Sequence, residues 1–213
     1  MNNPLRACVQ RNFEARRLLK LGGALSGGTV LEVGCGRGVG IEIILRAFRA
    51  DHVDAFDLDQ RMVSLARRRC KPHGEAVSIW TGDACSIPRP DASYDAVFDF
   101  GIVHHIPDWR LAISEIHRVL KPRGRFYAEE VFARLINGYP WRYLAKHPTD
   151  DRFDALGFAD ALTDVGLEVK ESRSLGGYFG WFIAVKNEIL PNTSFQRTRV
   201  RGGRGPGPLN SKR

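Results

Sequence analysis

No apolar run in this 213-residue chain approaches the roughly 20 residues that an α-helix needs to cross a bilayer. The opening MNNPLRACVQRNFEARRLL has no apolar core and no small-residue cleavage site of the kind a secretory leader carries, so a cytoplasmic location is the expectation. Cysteine is sparse. Cys8, Cys35, Cys70 and Cys85 stand far apart without a C-x-x-C pair, which argues against a disulfide framework or a zinc knuckle. The six histidines form no spaced cluster, so no metal is expected. There is no internal repeat and no clear inner boundary, and the length suits one domain with a sizeable core.

Charge is present in excess of one sign, but unevenly. The formal balance is +8; residues 187–213 carry six Lys or Arg and one Glu, and the rest of the chain nets only +3. The excess therefore sits mainly in the tail, which weakens a nucleic-acid role for the folded body. The segment RTRVRGGRGPGPLNSKR offers little to bury and reads as disordered. Its RGGRG stretch leaves contact with RNA open, against the plainer reading of a solvated end.

Apolar periodicity sets out the elements. A short helix is expected over Asn12–Leu21. Strands follow at Thr29–Val33, His52–Phe56, Ala76–Trp80, Asp95–Phe100 and Arg125–Glu130. Helices alternate with them at Gly38–Phe48, Gln60–Lys71 and Trp109–Leu120, the last closed by Lys121-Pro122-Arg123-Gly124. This alternation predicts an α/β doubly wound sheet of mostly parallel strands. A helix over Phe153–Val165 and strands at Leu167–Arg173 and Tyr178–Lys186 complete the count at seven. The short joint between the last two strands favours an antiparallel finish. The organisation expected is a helical segment over 1–28, a domain over 29–186 and a tail over 187–213.

The stretch VLEVGCGRGVG, from Val30 to Gly40, lies between a strand and a helix, where glycines let backbone approach a ligand. A dinucleotide fingerprint, G-x-G-x-x-G, wants its third glycine at position 39, which is Val39. The pattern present is G-x-G-x-G, at Gly34, Gly36 and Gly38. Glu32, two residues earlier, can reach an ammonium or bind loop amides and would repel a pyrophosphate. Asp57 ends the second strand on the ligand side of an open sheet, where a carboxylate accepts both ribose hydroxyls. Asp83, after the third strand, can accept from an adenine amino group.

These motifs together resemble the class I S-adenosylmethionine-dependent methyltransferases, especially the small-molecule branch related to the quinone-biosynthesis enzymes. VLEVGCGRG resembles the family segment that cradles the amino-acid part of the cofactor, with Glu32 at its acidic position. Asp57 in AFDLD looks like the ribose-binding acid, and Gly82-Asp83-Ala84 like the segment whose Asp meets adenine. FDFGIVHHI, with ISEIHRVLKP beyond it, is similar to the block formed by the fourth strand and the following helix. The resemblance is strong over 31–130 and looser over 153–186. It implies a Rossmann-like fold and S-adenosyl-L-methionine as cofactor. Its binding set is Glu32, Gly34, Cys35, Gly36, Gly38, Asp57, Leu58, Asp83, Ala84, Asp99 and Gly101. One departure stands out: Arg123-Gly124 occupies the place of the usual Gly-Gly, and Gly124 is expected to make the turn.

A sulfonium methyl is already activated, so the protein mainly has to orient the partners, and a base is needed only for a protonated acceptor. His104 and His105 are the base candidates; the blander reading has one packing under the cofactor and the other holding a loop. Glu130 is the third catalytic candidate. Of Glu129 and Glu130, one should point into the crevice, and an ion pair with Arg142 or Arg152 competes with an acceptor-orienting role. Asp108 reads as a helix cap. The aromatic stretch 132–152 is expected to form a substrate lid, with Phe132, Tyr139, Trp141, Tyr143, Tyr178, Phe179, Trp181 and Phe182 as candidate wall residues. The place of the Asn/Asp-Pro-Pro-Tyr/Phe block of exocyclic-amine methyltransferases reads Asp99-Phe100-Gly101-Ile102 here, and no Pro-Cys nucleophile occurs. A small hydrophobic or amphipathic acceptor is therefore favoured. An RNA methyltransferase using the tail and a non-catalytic partner are the alternatives; a nicotinamide enzyme is the weakest rival.

Overall fold

The computed structural model describes residues 10–136 and 152–188. Its sheet has seven strands: β1 (Thr29–Val33), β2 (His52–Asp57), β3 (Val77–Thr81), β4 (Tyr94–Phe100), β5 (Leu120–Val131), β6 (Leu167–Leu175) and β7 (Phe179–Lys186). Their order across the sheet is β3-β2-β1-β4-β5-β7-β6. Strands β1 to β5 pair in parallel, and β7 runs antiparallel to both β5 and β6. This is the mostly parallel, doubly wound arrangement with an antiparallel last strand that the alternation predicts. The order reverses between β1 and β4, and an open sheet binds ligands outside the carboxyl ends of its strands at such a point.

Helices cover both faces. On one face lie α1 (Ala15–Gly22) with the π-type turn Gln10–Glu14 before it, α2 (Val39–Ile43) running on into the π-type turn Ile44–Phe48, and α3 (Gln60–Cys70). Leu18, Ile41, Ile44, Phe48 and Ala66 pack there against Val30, Val53, Phe98 and Tyr127. Phe98 and Tyr127 stack with centroids 4.4 Å apart, and Phe48 meets both edge-on. On the other face lie α4 (Trp109–Val119) and α6 (Ala155–Asp164), with the short α5 (Ala133–Ile136) after β5. Trp109, Phe132, Phe153, Phe158 and Phe182 form a continuous aromatic cluster there. Because both faces are covered, the central strands read as near-continuous apolar runs rather than alternations.

Aspartates cap α3, α4 and α6. Asp59, Asp108 and Asp154 accept from the amides of Arg61, Leu111 and Gly157, each worth about 1 kcal/mol. At the other end of α4, the buried Lys186 Nζ donates to the carbonyls of His117 and Leu120, at 2.7 and 2.8 Å, where a cation suits the helix dipole.

The boundaries differ from the sequence expectation at β5. Leu120 is not the last helical residue; it is extended and pairs with Tyr94 before the register shifts, and regular pairing resumes at Arg125. The expected role of Gly124 is also corrected. Arg123 itself takes the left-handed conformation, at φ 64°. Gly124 is needed instead for close approach, since a Cβ there would lie 2.8 Å from the Lys121 carbonyl oxygen.

Among the described residues no helix is long and apolar enough to cross a membrane. Among them no group of three or more His, Cys, Asp or Glu side chains is placed to hold a metal ion.

Candidate functional site

The loop after β1 is fastened to the end of β2. The Cys35 amide donates to the Phe56 carbonyl, and the Gly36 amide donates to Asp57 Oδ2, both at 2.8 Å. Asp57 Oδ1 accepts from the Asp59 amide at 2.9 Å. Gly34, Gly36 and Gly38 all have positive φ, at 69°, 52° and 79°, which glycine adopts without a Cβ penalty. The spacing also serves close approach: Gly40 on α2 faces Glu32 so nearly that a Cβ would sit 1.9 Å from Glu32 Oε1.

Around this loop the surface opens into a crevice of two joined lobes. The first, of 180 Å³, lies between Glu32, Cys35, Gly36, Phe100 and Gly101, with Gln10 and Arg37 at its edge. The second, of 360 Å³, runs past Phe56, Leu58, Asp83, Ala84, Ile106 and Asp108. Gly34, Asp57, Ile102 and His105 line both. Asp57 thus stands at the waist, Glu32 in one lobe and Asp83 in the other. Leu58 is 75% exposed, and Asp83 Oδ1 accepts from the Cys85 amide at 2.9 Å.

The electrostatics of the first lobe select for positive charge. Glu32 is 2% exposed, and its Oε2 has no hydrogen-bond partner among the described residues. Burial, then the nearby Asp57 and Asp99, push its carboxyl well above the usual range, while the Ile41 amide works the other way. A buried carboxylate in that state gains most from a cationic ligand. Burial likewise pushes the Cys35 thiol up, so Cys35 is lining rather than nucleophile.

Behind the crevice wall a second set of acids is turned inward. Glu130 is fully buried and gathers the turn Val103–His105. Its Oε1 accepts from the Val103 amide at 2.8 Å, and its Oε2 lies 2.6 Å from His104 Nδ1 and 3.3 Å from the His104 amide. Asp99 packs beside it. Asp99 Oδ1 accepts from the Ile102 amide at 2.8 Å, while Oδ2 has no donor among the described residues. Burial first, and the nearby Glu130 second, push the Asp99 carboxyl well above the usual carboxylate range. Glu130 is itself pushed up to about 7 by burial, against the hydrogen bonds it accepts. Arg152 donates to the carbonyls of His104 and Ile106, at 2.5 and 3.4 Å.

The structure thus separates the three catalytic candidates. His105 lines both lobes. His104, 3% exposed, and Glu130 line neither; they hold the turn that presents His105 and Ile102. Neither Glu129 nor Glu130 projects into the crevice, which corrects the expectation for that pair. Glu129 is buried on the other side of β5, where Trp181 Nε1 donates to it at 3.2 Å. Asp108 caps its helix and also lines the second lobe. Phe132, Trp181 and Phe182 are core residues, at 0%, 1% and 1% exposure, rather than substrate wall. Tyr178 is exposed under the Arg134 guanidinium. The expected lid, with Tyr139, Trp141, Tyr143 and Arg142, lies outside the described residues except at its ends. Sequence reasoning missed Phe100, Ile102 and Ile106 as lining; only their place beside Asp99 and His105 signals them.

Residues 31–128 match the family model described as "Methyltransferase domain". The chain is 36% identical over 151 residues to a fatty-acid O-methyltransferase of Mycolicibacterium smegmatis, a match covering 71% of this chain and 48% of that protein. It is 35% identical over 106 residues to a phthiotriol/phenolphthiotriol dimycocerosates methyltransferase of Mycobacterium tuberculosis, covering 49% of this chain and 38% of the other. The matches thus span about half or less of these relatives' own length. Among solved structures, a SAM-dependent methyltransferase from Aquifex aeolicus superposes with a TM-score of 0.67 at 22% identity, covering 87% of this chain and 99% of that one.

Proposed function

We propose that this chain, which belongs to the class I S-adenosylmethionine-dependent methyltransferases, methylates a small lipid-like amphiphile at the crevice beside Asp57. The observation that carries the cofactor reading is the unpartnered Glu32 Oε2 in a lobe walled by acids. That lobe suits the ammonium of S-adenosylmethionine. Asp57 at the waist suits the ribose hydroxyls, and the lobe at Asp83, Ala84 and Phe56 suits adenine. When bound, the cofactor supplies an activated methyl group on a sulfonium.

The residues of the chain orient and enclose. Glu32 holds a cationic head, and the amide-braced Asp57 holds a diol without having to reorganise. His105 and Ile102, fixed from behind by Glu130, set the wall where the two lobes meet. The relatives named for fatty acids and for phthiotriol lipids support an amphiphilic acceptor. A carboxylate acceptor is already ionised at neutral pH and needs no base, whereas a hydroxyl acceptor needs one. The position of His105 at the wall of both lobes supports it as the base in that second case.

Transfer of tritiated methyl from S-adenosylmethionine to a panel of medium- and long-chain fatty acids and their alcohol counterparts tests the proposal. Label in the organic extract supports it. Label only in added RNA, or none with cofactor bound, would overturn it. With a carboxylate acceptor His105→Ala should keep near-normal turnover; with a hydroxyl acceptor it should lose on the order of a hundredfold.

A further inference from the structure

The modest net charge of the folded body conceals a strong polarity between its two helical layers. Residues 10–23, 37–50 and 60–71, which build the layer of α1, α2 and α3, hold twelve Lys or Arg against two Glu. Residues 108–119 and 152–165, which build the opposite layer, hold three basic residues against five acids. Of the two Glu in the basic layer, Glu14 is 7% exposed. Glu42 is held between two helices, paired with Arg11 and, at 3.4 Å, with Arg69.

Two hollows open on this basic face. One, of 380 Å³, lies between α1 and α2, with Ala15, Leu19, Ile43 and Ala47 as its apolar lining, and with Arg11, Arg16, Arg46 and the Arg-paired Glu42 around it. The other, of 320 Å³, is bounded by Arg37, Leu65, Arg68 and Arg69. Arg37 also lines the first lobe of the crevice, so the basic face runs up to the edge of the site. Nothing in the methyl-transfer chemistry requires these cations.

We infer that this face is a docking surface for an anionic phospholipid bilayer. A layer this rich in guanidinium groups attracts an anionic surface. An aliphatic slot rimmed by guanidinium suits an acyl chain beneath an acidic headgroup. A single-stranded nucleic acid would instead use aromatic stacking platforms, and the exposed aromatic here, Phe13, is covered by the Arg17 guanidinium. Docked in this way, the edge of the crevice marked by Arg37 faces the membrane. The inference goes beyond the methyl-transfer reading and stands without it.

Cosedimentation of the full chain with vesicles tests it, using phosphatidylcholine alone and an equal mixture of phosphatidylcholine and phosphatidylglycerol. Binding is expected to the mixed vesicles, to fall with added salt and to be weak on the neutral ones. Each removed cation should cost about fivefold. The triple variant Arg16→Gln/Arg46→Gln/Arg68→Gln should therefore lose on the order of a hundredfold, and the three single variants about fivefold each. A matched triple variant elsewhere, Arg110→Gln/Lys170→Gln/Arg173→Gln, should bind within about twofold of the parent, because these cations lie off the docking layer. Retained circular dichroism and unchanged S-adenosylmethionine titration establish that both triple variants fold. Equal binding to neutral vesicles, undiminished binding by the first variant, or selective loss of polyuridylate binding without vesicle binding would each overturn the inference. Vesicle binding by a chain that fails to bind the cofactor would leave it standing and sink the methyl-transfer reading alone.

Discussion

The two walls of the crevice use buried acids in opposite ways. On the β1–β2 side, Glu32 keeps an oxygen without a donor, and Asp57 lines both lobes. On the β4–β5 side, Asp99 and Glu130 are turned into the protein, where they gather amides and an imidazole. The first pair lines the crevice, and its unpartnered oxygen is what the proposed cofactor would complete. In the second pair Asp99 Oδ2 also lacks a donor among the described residues, but both oxygens of Glu130 are satisfied within the protein, and the pair lies behind the crevice wall, holding the Ile102–His105 turn. Burial of an acid is therefore no guide to its role; what matters is where its lone pairs go.

Breaking the first wall should have the largest effect. Asp57→Ala removes the acceptor proposed for the ribose and releases the Gly36 amide. Cofactor affinity should fall on the order of a hundredfold by calorimetry; a fall of less than threefold would break the contrast between the walls.

Breaking the second wall should appear first as lost stability. Glu130→Gln sets an amide nitrogen against donors that now meet carboxylate oxygens, which should cost about 2 kcal/mol in denaturant unfolding. Cofactor affinity should drop less than in Asp57→Ala. A loss of affinity with unchanged stability would place Glu130 on the ligand. The pH profile sharpens this. Glu130 is raised to about 7 in the fold, so the folded state holds its proton more tightly than the unfolded chain, whose carboxyl titrates near 4.3. Its stabilising contribution is present below the unfolded value and is lost as pH rises through about 7. The ligand-free parent should lose stability over that window, and Glu130→Gln should show a flatter profile.

Glu32 gives the opposite sign for binding. Its carboxyl is raised, and an ammonium ligand favours the ionised form. Cofactor affinity should therefore rise with pH in the parent and be both weaker and nearly flat in Glu32→Gln. An identical pH slope in the variant would show that another group carries the linkage.

The smallest effect belongs to a residue in neither wall. Arg123, left-handed at φ 64°, should gain about 0.5 kcal/mol on Arg123→Gly, with cofactor affinity unchanged. A loss of stability would mean that its exposed contact with Glu188 outweighs the backbone strain.

The first wall was largely legible in the sequence because its parts are local. Glu32 and the glycines lie within one strand–turn–helix, and Asp57 and Asp83 each follow a strand end. The second wall was not. The pairing of Glu130 with His104 joins residues 26 apart, across a parallel register that no spacing in the sequence states. Strand alternation suggested that one of Glu129 and Glu130 faces the crevice, but helices cover both faces of β5 and both side chains are buried. The aromatic residues misled for the same reason: Trp181 and Phe182 point to opposite faces, and each meets a core. The charge count hid the layer polarity because acids and bases far apart in space cancel in a sum over the chain.

The most direct test of the central claim is calorimetric titration of the ligand-free protein with S-adenosylmethionine, with NAD run in parallel. Saturable binding of S-adenosylmethionine and none of NAD is predicted, with the affinity lost in Asp57→Ala. Selective NAD binding, or S-adenosylmethionine binding that survives Asp57→Ala intact, would contradict the account.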